Sequence, residues 1–286
     1  LPVNCVRDLL HLFNLIQEEG FPDWMMQARV LPVAKHHKAN MAKATRPITV
    51  LSLLYRLYSK WTSRQILQAW TRTLPESITG FLPGRSSHKL IYEMQLALEA
   101  TNHGHSHLHW GGLTLDIIKA FNTLPHLPLC QLLIHFGVPP ALVRAWISSI
   151  QKMIRYWQID SQLFVVPAAT TGVPEGDAWS VVAMLAVNIF MVTLVAPHAQ
   201  RLNAFADNWS YSTTDPTQHQ PAMATLTQIA EALSIGIDWG KTWAWGTSQP
   251  HQEALQAAKD SVLAPEVQLQ LVTHARDLGY IMHYRL

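Results

Sequence analysis

Two aspartates end apolar runs in this sequence, at positions where a carboxylate could hold a metal ion. Asp116 ends GGLTLD and Asp207 ends RLNAFAD. Each run has the length and composition of a short β-strand, so we expect both carboxylates at exposed strand ends. Side by side, two such strands would suit Mg²⁺, which takes one or two protein carboxylates and completes its octahedron with water and substrate phosphates. Taken alone the signal is weak, because most strand-end aspartates are caps or turn formers.

The residue after Asp207 is an amide, Asn208, where a second carboxylate would hold a divalent cation more strongly. An asparagine side chain can still offer a neutral carbonyl oxygen to a metal ion or to a bound water. The loss of one negative charge is therefore expected to weaken Mg²⁺ binding rather than abolish it.

The composition predicts a folded chain with one strongly basic region. At 286 residues, with 49% apolar and 14% charged residues, the chain can bury a large core and is not a disordered protein. Between Trp24 and Pro75 there are nine Lys or Arg residues and no Asp or Glu, although the net charge is only +2. This region is either a solvated basic face or a contact surface for a polyanion, such as nucleic acid or a triphosphate.

The two cysteines and the first residue bear on the setting of the chain. Cys5 and Cys130 are far apart and give no disulfide framework and no zinc spacing. We therefore expect a reducing, intracellular setting, in the nucleus or the cytoplasm. Since the chain begins with Leu1 rather than Met, we expect it to be part of a longer protein.

Helical and strand patterns divide the chain into two regions. The first 75 residues are predicted to be mostly helical, with an extended segment at ARVLPVAKHH. After His103 strands and helices alternate, and RYWQID with LFVVPAATTG, like RLNAFAD with WSYSTT, has the pattern of a hairpin. KTWAWGT and ARDLGYIMHY are predicted as the final strands. Hairpins favour an α+β fold, in which a mixed or antiparallel sheet is backed by helices.

One apolar run, residues 178–196, is long enough to cross a bilayer. Asp177 stands directly before it, Ser180, Asn188 and Thr193 interrupt it, and no basic flank is close on either side. A helix buried beneath a sheet is therefore the favoured interpretation, and we expect no association with a membrane.

The order of seven short motifs is more specific than any one of them. In sequence they are RPITVLSLLYRLYSK, GFLPGRSS, LTLDIIKAFNTL, TTGVPEGDAWS, AFADN, GIDWGKT and DLGYIM. This series resembles the reverse transcriptase family, and most closely its non-LTR retrotransposon branch. The resemblance implies a right-hand polymerase with basic, helix-rich fingers over residues 1–110 and a palm over residues 111–286. The palm would end at a primer-grip-like segment, and the thumb that should follow is missing.

The resemblance also implies a metal site and a catalytic lysine. Asp116 and Asp207 match the two palm carboxylates that bind a pair of Mg²⁺ ions, with Asn208 and Ile117 as further ligands and Mn²⁺ able to substitute. Lys241, in GKT, resembles the lysine that protonates the pyrophosphate leaving group, although a surface lysine is the alternative.

Other matched positions concern the nucleotide and the primer. Phe121 matches the aromatic gate under the sugar, which favours deoxynucleotides, although a ring there could also simply pack in the core. Glu175 stands where the family usually has Gln, and it cannot donate a hydrogen bond unless protonated. The remaining implied positions are Arg46 and, less firmly aligned, Lys35 at the triphosphate, Gly176 beside the nucleotide, and Leu278, Gly279 and Tyr280 in the primer grip.

The resemblance implies an RNA-directed DNA polymerase of a retrotransposon-like element. It would add dNTPs to the 3′ end of a DNA primer on an RNA template, by a two-metal mechanism. No protein partner can be inferred from the sequence. The alternative is a catalytically degenerate, polymerase-derived module that only binds nucleic acid. A third interpretation, an RNA-templated RNA polymerase, is disfavoured by Phe121.

Overall fold

The computed structural model describes residues 2–34, 45–166, 170–277 and 280–283. The chain forms two compact units, and it enters each of them twice. The first unit combines Leu1–Trp70 with Phe121–Ala186, and the second combines Thr71–Ala120 with Val187–Leu286. The division into fingers over residues 1–110 and a palm over residues 111–286 stays a prediction.

The described residues form an α+β fold. In chain order the helices are α1 (Val3–Glu19), α2 (Leu53–Thr73), α3 (Ser87–Asn102), α4 (Ala120–Thr123), α5 (His126–His135), α6 (Pro140–Lys152), α7 (Ala178–Val195), α8 (His219–Ala232) and α9 (Gln249–Val262). The strands are β1 (Gln27–Ala34), β2 (Thr45–Val50), β3 (Gly111–Asp116), β4 (Ile154–Ile159), β5 (Gln162–Val166), β6 (Arg201–Phe205), β7 (Asn208–Thr213), β8 (Trp243–Gly246), β9 (Gln270–Leu271), β10 (His274–Asp277) and β11 (Tyr280–His283).

The first unit contains a sheet with the strand order β2-β1-β4-β5. Strand β1 pairs antiparallel with β2 and parallel with β4, and β4 forms an antiparallel hairpin with β5. The β4–β5 hairpin and the extended segment at β1 confirm two predictions. Strand β2 was not predicted, although Ile48, Thr49 and Val50 are the β-branched residues that favour a strand.

A buried carboxylate holds the start of α7. Asp177 is 4% exposed and accepts hydrogen bonds from Tyr55 Oη at 3.1 Å, from Trp146 Nε1 at 2.9 Å and from Ser59 Oγ. Burial raises the pKa of the Asp177 carboxyl group, and these donors oppose that rise. Because the donors lie on α2 and α6, one side chain ties the loop before α7 to two helices of the same unit.

Helix α7 is the long apolar run of the sequence. It is long and apolar enough to cross a membrane, yet 72% of its apolar window is buried inside the protein. Val182, Met184 and Leu185 are each 0% exposed. This burial supports the interpretation of a core helix.

The second unit contains a sheet with the strand order β6-β7-β3-β8-β9. All pairs are antiparallel except β8 with β9. Because side chains alternate along a strand, Thr114 and Asp116 share one face of β3. Leu113 and Leu115 take the other face, where each is 1% exposed. The mixed sheet is therefore as predicted. Asp116 lies on one face of β3, and the apolar residues of this strand lie on the other.

Two segments of the second unit differ from the sequence-based expectation. ARDLGYIMHY was predicted as a single strand, but its described residues form an antiparallel hairpin in which His274 is paired with His283. Helix α9 was not predicted, although its buried residues His251, Leu255 and Ala258 have the spacing of one helical face.

A chain of hydrogen bonds between two buried histidines joins α8, α9 and the sheet. His251 Nε2 lies 3.2 Å from the carbonyl oxygen of His109, which can only accept, so Nε2 carries the proton. The neutral ring then accepts at Nδ1 from His219 Nε2, 2.8 Å away, and His219 accepts at Nδ1 from the Tyr211 hydroxyl at 3.2 Å. Gly111 leaves room for both rings, since a Cβ there would lie 2.6 Å from His251 Nδ1.

Acid should destabilise this part of the fold. Burial lowers the pKa of His219 to about 3 and also lowers the pKa of His251. Below the ordinary histidine pKa of about 6.5, His219 is protonated in the unfolded state but stays neutral in the folded state. The free energy of unfolding therefore falls as the pH falls. We expect His219 alone to lower the free energy of unfolding by about 2 kcal/mol between pH 7 and pH 5, and urea unfolding at the two pH values measures this change.

The control variant is His219→Gln, which keeps an acceptor for Tyr211 and a donor for His251 but cannot titrate. Asp215 is the charged group that opposes the shift at both rings, and it stays in place in the variant. Its unfolding free energy should therefore change less with pH than that of the parent, and equal pH slopes would contradict the assignment.

Candidate active site

The ends of β3 and β7 bring the two sequence-predicted aspartates to one end of the sheet. Asp116 is directly opposite Asn208 in the register of the two strands. One residue further along, the N–H of Ile117 donates to the carbonyl oxygen of Asp207 at 3.1 Å. Asp207 lies in the two-residue turn between β6 and β7, which is closed by the pair of Phe205 with Asn208. Two aspartates far apart in sequence are thus fixed side by side by backbone pairing.

Residues 77–80 form hydrogen bonds to β6, the strand that leads into the turn that carries Asp207. Residues 77–80 lie along β6, where Ala204 N–H donates to Ser77 O at 2.9 Å and Thr79 N–H donates to Ala204 O at 3.1 Å. A Cβ on Gly80 would lie 2.8 Å from Ala206 N, so only glycine fits this close approach. Ala206 has a φ of 55°, which only the surrounding contacts can maintain in a residue with a side chain.

Arg85 anchors the segment that supports the turn. Its guanidinium donates to the carbonyl oxygens of Thr71 at 3.0 Å, Leu74 at 2.7 Å and Ile78 at 3.0 Å, and also to that of Pro75. These carbonyls lie at and beyond the C-terminal end of α2, where backbone acceptors lack helical partners. One side chain therefore connects the end of α2 to the segment that borders β6.

Lys241 lies between two carboxylates. Its ammonium nitrogen is 2.8 Å from Asp116 Oδ2 and 2.9 Å from Asp238 Oδ2. The hydrogen bonds to Asp116 and Asp238 raise the pKa of Lys241 above its ordinary value. Asp238 was not identified from the sequence, although it stands three residues before Lys241 in GIDWGKT. The turn between them, in which Lys241 N–H donates to Asp238 O at 2.9 Å, brings both side chains to Asp116.

Asn208 contributes a buried oxygen without a partner. Its Oδ1 atom is inaccessible to solvent, and no described residue donates a hydrogen bond to it. A carboxylate in this place would bury a second negative charge opposite Asp116, which costs more free energy than burying a neutral amide. The amide oxygen is thus the less costly acceptor for this position.

The oxygens at this end of the sheet are the type of donor that Mg²⁺ and Mn²⁺ take. They are the carboxylates of Asp116 and Asp207 and the orphaned Asn208 Oδ1, to which Ile117 could add only its carbonyl, since its side chain is apolar and 2% exposed. The described residues contain no cluster of three or more His, Cys, Asp or Glu side chains able to hold a metal. This donor set fits an ion that also takes oxygens from a substrate.

Other predicted site residues belong to the first unit. Gly176 has a φ of 113°, and a Cβ there would lie 2.8 Å from Thr49 O. Thr49 lies on β2, and its N–H donates to Glu175 O at 2.7 Å. Arg46 is exposed on the same strand. The loop before α7 is therefore attached to the strand that carries Arg46.

Glu175 has a hydrogen-bond donor of its own. Asn122 Nδ2 donates to Glu175 Oε1 at 2.8 Å, and both side chains lie toward the surface. The residue before Asn122 is Phe121, which is half-buried and whose carbonyl oxygen accepts from Val173 N at 2.6 Å. The Glu175 carboxylate, at the position where Gln was expected, therefore accepts a hydrogen bond from the amide of Asn122. Asn122 is next in sequence to Phe121, the predicted sugar gate.

Some predicted positions cannot be placed. Lys35, Leu278 and Gly279 lie outside the described residues, and Tyr280 begins β11. Their assignment to the triphosphate and to the primer grip stays a prediction.

A cleft of about 720 Å³ lies on the Asp116 face of the second unit's sheet. Thr114, two residues before Asp116, lines it together with Asn203, Ser210 and Trp110. Volumes in this range are typical of ligand sites. Asp116 and Asp207 are not among the residues that line the cleft, so it does not contain their carboxylates.

Comparison with known proteins gives one family match. The family model described as Reverse transcriptase (RNA-dependent DNA polymerase) matches residues 33–255. That range includes every motif quoted above except DLGYIM. A comparison with curated proteins finds no match.

The fold is similar to that of solved telomerase structures. Apo telomerase from Candida tropicalis, truncated from the C-terminal domain, matches with a TM-score of 0.60 at 11% identity, over 96% of this chain and 58% of that chain. Telomerase from Candida albicans in complex with the TWJ fragment of telomeric RNA matches with a TM-score of 0.58 at 10% identity, over 94% of this chain and 45% of that chain. The chain thus spans less than two thirds of these telomerases, and the likeness shows the fold alone.

The close approach of residue 80 to the turn can be tested by Gly80→Ala. The added methyl group would meet the backbone at Phe205 and Ala206, which cannot yield as a flexible side chain would. We expect a loss of about 1–3 kcal/mol in the free energy of unfolding. The control is Gly240→Ala, where the added Cβ would lie 3.4 Å from its nearest neighbour, in ordinary contact. Equal stability of the two variants would show that the turn tolerates a side chain at position 80.

Proposed function

The chain belongs to the reverse transcriptase family, and we propose that it functions as an RNA-directed DNA polymerase that extends a primer 3′ end with dNTPs. Members of this family are nucleotidyltransferases that generally use divalent metal ions. The observation that carries the proposal is the pairing of β3 with β7, which brings Asp116 and Asp207 to one sheet end beside Lys241.

The proposed metal ligands are all at that sheet end. Asp116 and Asp207 supply the charged oxygens, and Asn208 Oδ1 and the Ile117 carbonyl supply neutral ones. When bound, two divalent ions provide activation of the primer hydroxyl and neutralisation of the leaving pyrophosphate. Lys241 is a protonated donor held 2.8 Å from Asp116 Oδ2, and its proposed role is to deliver a proton to the leaving pyrophosphate.

The resemblance to the family also predicts contacts to the nucleotide. Arg46, with Lys35 nearby in sequence, would bind the triphosphate, for which a guanidinium fork is well suited. Gly176 would lie beside the nucleotide, and Phe121 would select against a 2′-hydroxyl. Asn122 donates a hydrogen bond to the Glu175 carboxylate, which orients this side chain but leaves its negative charge in place.

The proposed partners are an RNA template, a DNA primer and dNTPs. Candida telomerases with this fold were solved with a fragment of telomeric RNA. The order of the motifs favours a retrotransposon-like element as the source. The free Cys5 and Cys130 fit the proposed intracellular setting.

A second candidate is a module that binds nucleic acid without catalysis. The neutral Asn208, in place of a second carboxylate, is the observation that favours it. The two candidates predict different behaviour when that carboxylate is restored.

The metal-site assignment predicts that Asp116→Asn or Asp207→Asn will lower primer extension by roughly 100-fold or more, because each removes a charged oxygen from the reaction centre. The measurement is dNTP incorporation on an RNA template by the full-length protein. Asp160→Asn, at the exposed β4–β5 turn, makes the same chemical change elsewhere and should leave activity intact. Activity at the parental rate in either active-site variant would rule out the assignment.

The role of Asn208 predicts the effect of Asn208→Asp. The new carboxylate should destabilise the metal-free protein, because its oxygen is buried opposite Asp116. It should also lower the Mg²⁺ concentration needed for half-maximal extension, since each 1.4 kcal/mol gained in metal binding is about tenfold in affinity. The measurement is a Mg²⁺ titration of extension, with Mn²⁺ expected to stimulate the parent.

The same titration separates the two candidate functions. A working polymerase extends primers with Asn208 in place and needs less Mg²⁺ after Asn208→Asp. A degenerate module is silent until the carboxylate is restored. Lower activity of Asn208→Asp at every Mg²⁺ concentration would show that the site requires the amide, and Asn208 would then not be a weakened metal ligand.

A further inference from the structure

We propose that Asp238 is a positioning residue for Lys241, which it holds beside Asp116 when a divalent ion takes the Asp116 carboxylate. The inference rests on the proposed function, because it requires that Asp116 bind a metal ion. It assigns a role to a residue that the sequence motifs did not single out, and that role is exerted through Lys241 rather than on the substrate.

The starting point is a competition for one oxygen. The ammonium of Lys241 lies 2.8 Å from Asp116 Oδ2, so a cation that binds this carboxylate must displace the ammonium or share the carboxylate with it. Two positive charges in contact with one carboxylate repel each other strongly. Lys241 is 66% exposed, so its flexible stem could move into solvent when the ion binds.

Asp238 gives the displaced ammonium a second anionic partner in the same place. Its Oδ2 is 2.9 Å from the Lys241 nitrogen, so the lysine already contacts both carboxylates. If a metal ion takes Asp116, the ammonium of Lys241 has to move only slightly to contact Asp238 alone. The ammonium then stays near the metal-binding oxygens instead of leaving them.

The backbone fixes Asp238 relative to Asp116 independently of the side chains. Asp238 N–H donates to Asp116 O at 2.8 Å, and Ile118 N–H donates to Gly236 O at 2.8 Å. Ile117 and Ile237 form an antiparallel bridge between these two bonds. The segment that carries Asp238 is thus paired to the end of β3, and the position of its backbone does not depend on the bond of Lys241 to Asp116.

Two observations distinguish this role from direct metal binding and from a contribution to folding. The described residues contain no cluster of three or more His, Cys, Asp or Glu side chains placed to hold a metal ion, so we assign Asp238 to Lys241 rather than to the ion. Exposed ion pairs contribute little to folding, and the Asp238 side chain is 30% exposed. With Asn208 neutral, the site also has less negative charge with which to attract a metal ion away from Lys241, so a second partner for the lysine matters more.

The test measures Mn²⁺ binding to the full-length protein without nucleic acid, by electron paramagnetic resonance of the free ion. Four proteins form a double-mutant cycle: the parent, Asp238→Asn, Lys241→Met and the double variant. In the parent background Asp238→Asn should weaken Mn²⁺ binding by about fivefold, because the ammonium is then confined to Asp116. Lys241→Met should strengthen binding, and in that background Asp238→Asn should change affinity by less than about twofold.

Two further variants control the cycle. Asp260→Asn removes the same charge from α9, where the carboxylate bonds only to Gln256 among the described residues, and should leave Mn²⁺ affinity unchanged. Asp116→Asn should abolish the binding. If it does not, the metal site of the proposed function is wrong, and the role of Asp238 fails with it.

The remaining outcomes concern Asp238 alone. If Asp116→Asn abolishes binding but Asp238→Asn has the same effect with and without Lys241, then Asp238 acts directly on the ion and the positioning role is overturned. No effect of Asp238→Asn in the parent background overturns it as well. Urea unfolding of Asp238→Asn should stay close to that of the parent, since a large loss of stability would indicate a structural role instead.

Discussion

The register of β3 against β7 is the constraint on which the rest of the site depends. Asp116 is opposite Asn208, and the N–H of Ile117 bonds to Asp207 O. A slip of one residue would turn Asp116 to the apolar face, where Leu113 and Leu115 now pack. The apolar alternation of the sheet and the proposed metal site therefore require the same register, so no further contact is needed to align the two strand ends.

Two segments support that register from opposite sides of the sheet's acidic end. Residues 77–80 border β6 and limit the turn that carries Asp207, while residues 236–238 pair with the end of β3. Each segment also contributes one residue to the surroundings of the two aspartates. Gly80 allows its segment to approach the turn that carries Asp207, and Asp238 contacts the ammonium of Lys241 together with Asp116. The geometry of the carboxylates and the electrostatics around them are thus set by the same few backbone contacts.

Local sequence patterns were sufficient for the strands that carry the two aspartates, but they missed β2 and α9 and could not give the contacts between elements. The strands around Asp116 and Asp207 could be predicted because apolar runs bounded by turns identify them. The partnership of Asp238 with Lys241 and Asp116 depends on where residues 236–238 dock, which no periodicity encodes. The bond of Asn122 to Glu175 spans 53 positions of sequence, and the need for glycine at position 80 arises only from the nearby turn. These are contacts of the tertiary fold, and they appear only after the strands have been paired.

The interleaved order of the two units has a consequence for synthesis on the ribosome. The first unit needs Phe121–Ala186 before its two parts can join, by which time Thr71–Ala120 of the second unit has already been made. That stretch, which includes β3 and Asp116, must wait until Val187–Leu286 supplies β6, β7 and β8. During the delay the apolar residues of β3 lack their strand neighbours, and unpaired apolar strands of this kind are prone to aggregate. The order of the segments therefore leaves β3 without its strand neighbours from its own synthesis until the emergence of the β6–β7 hairpin.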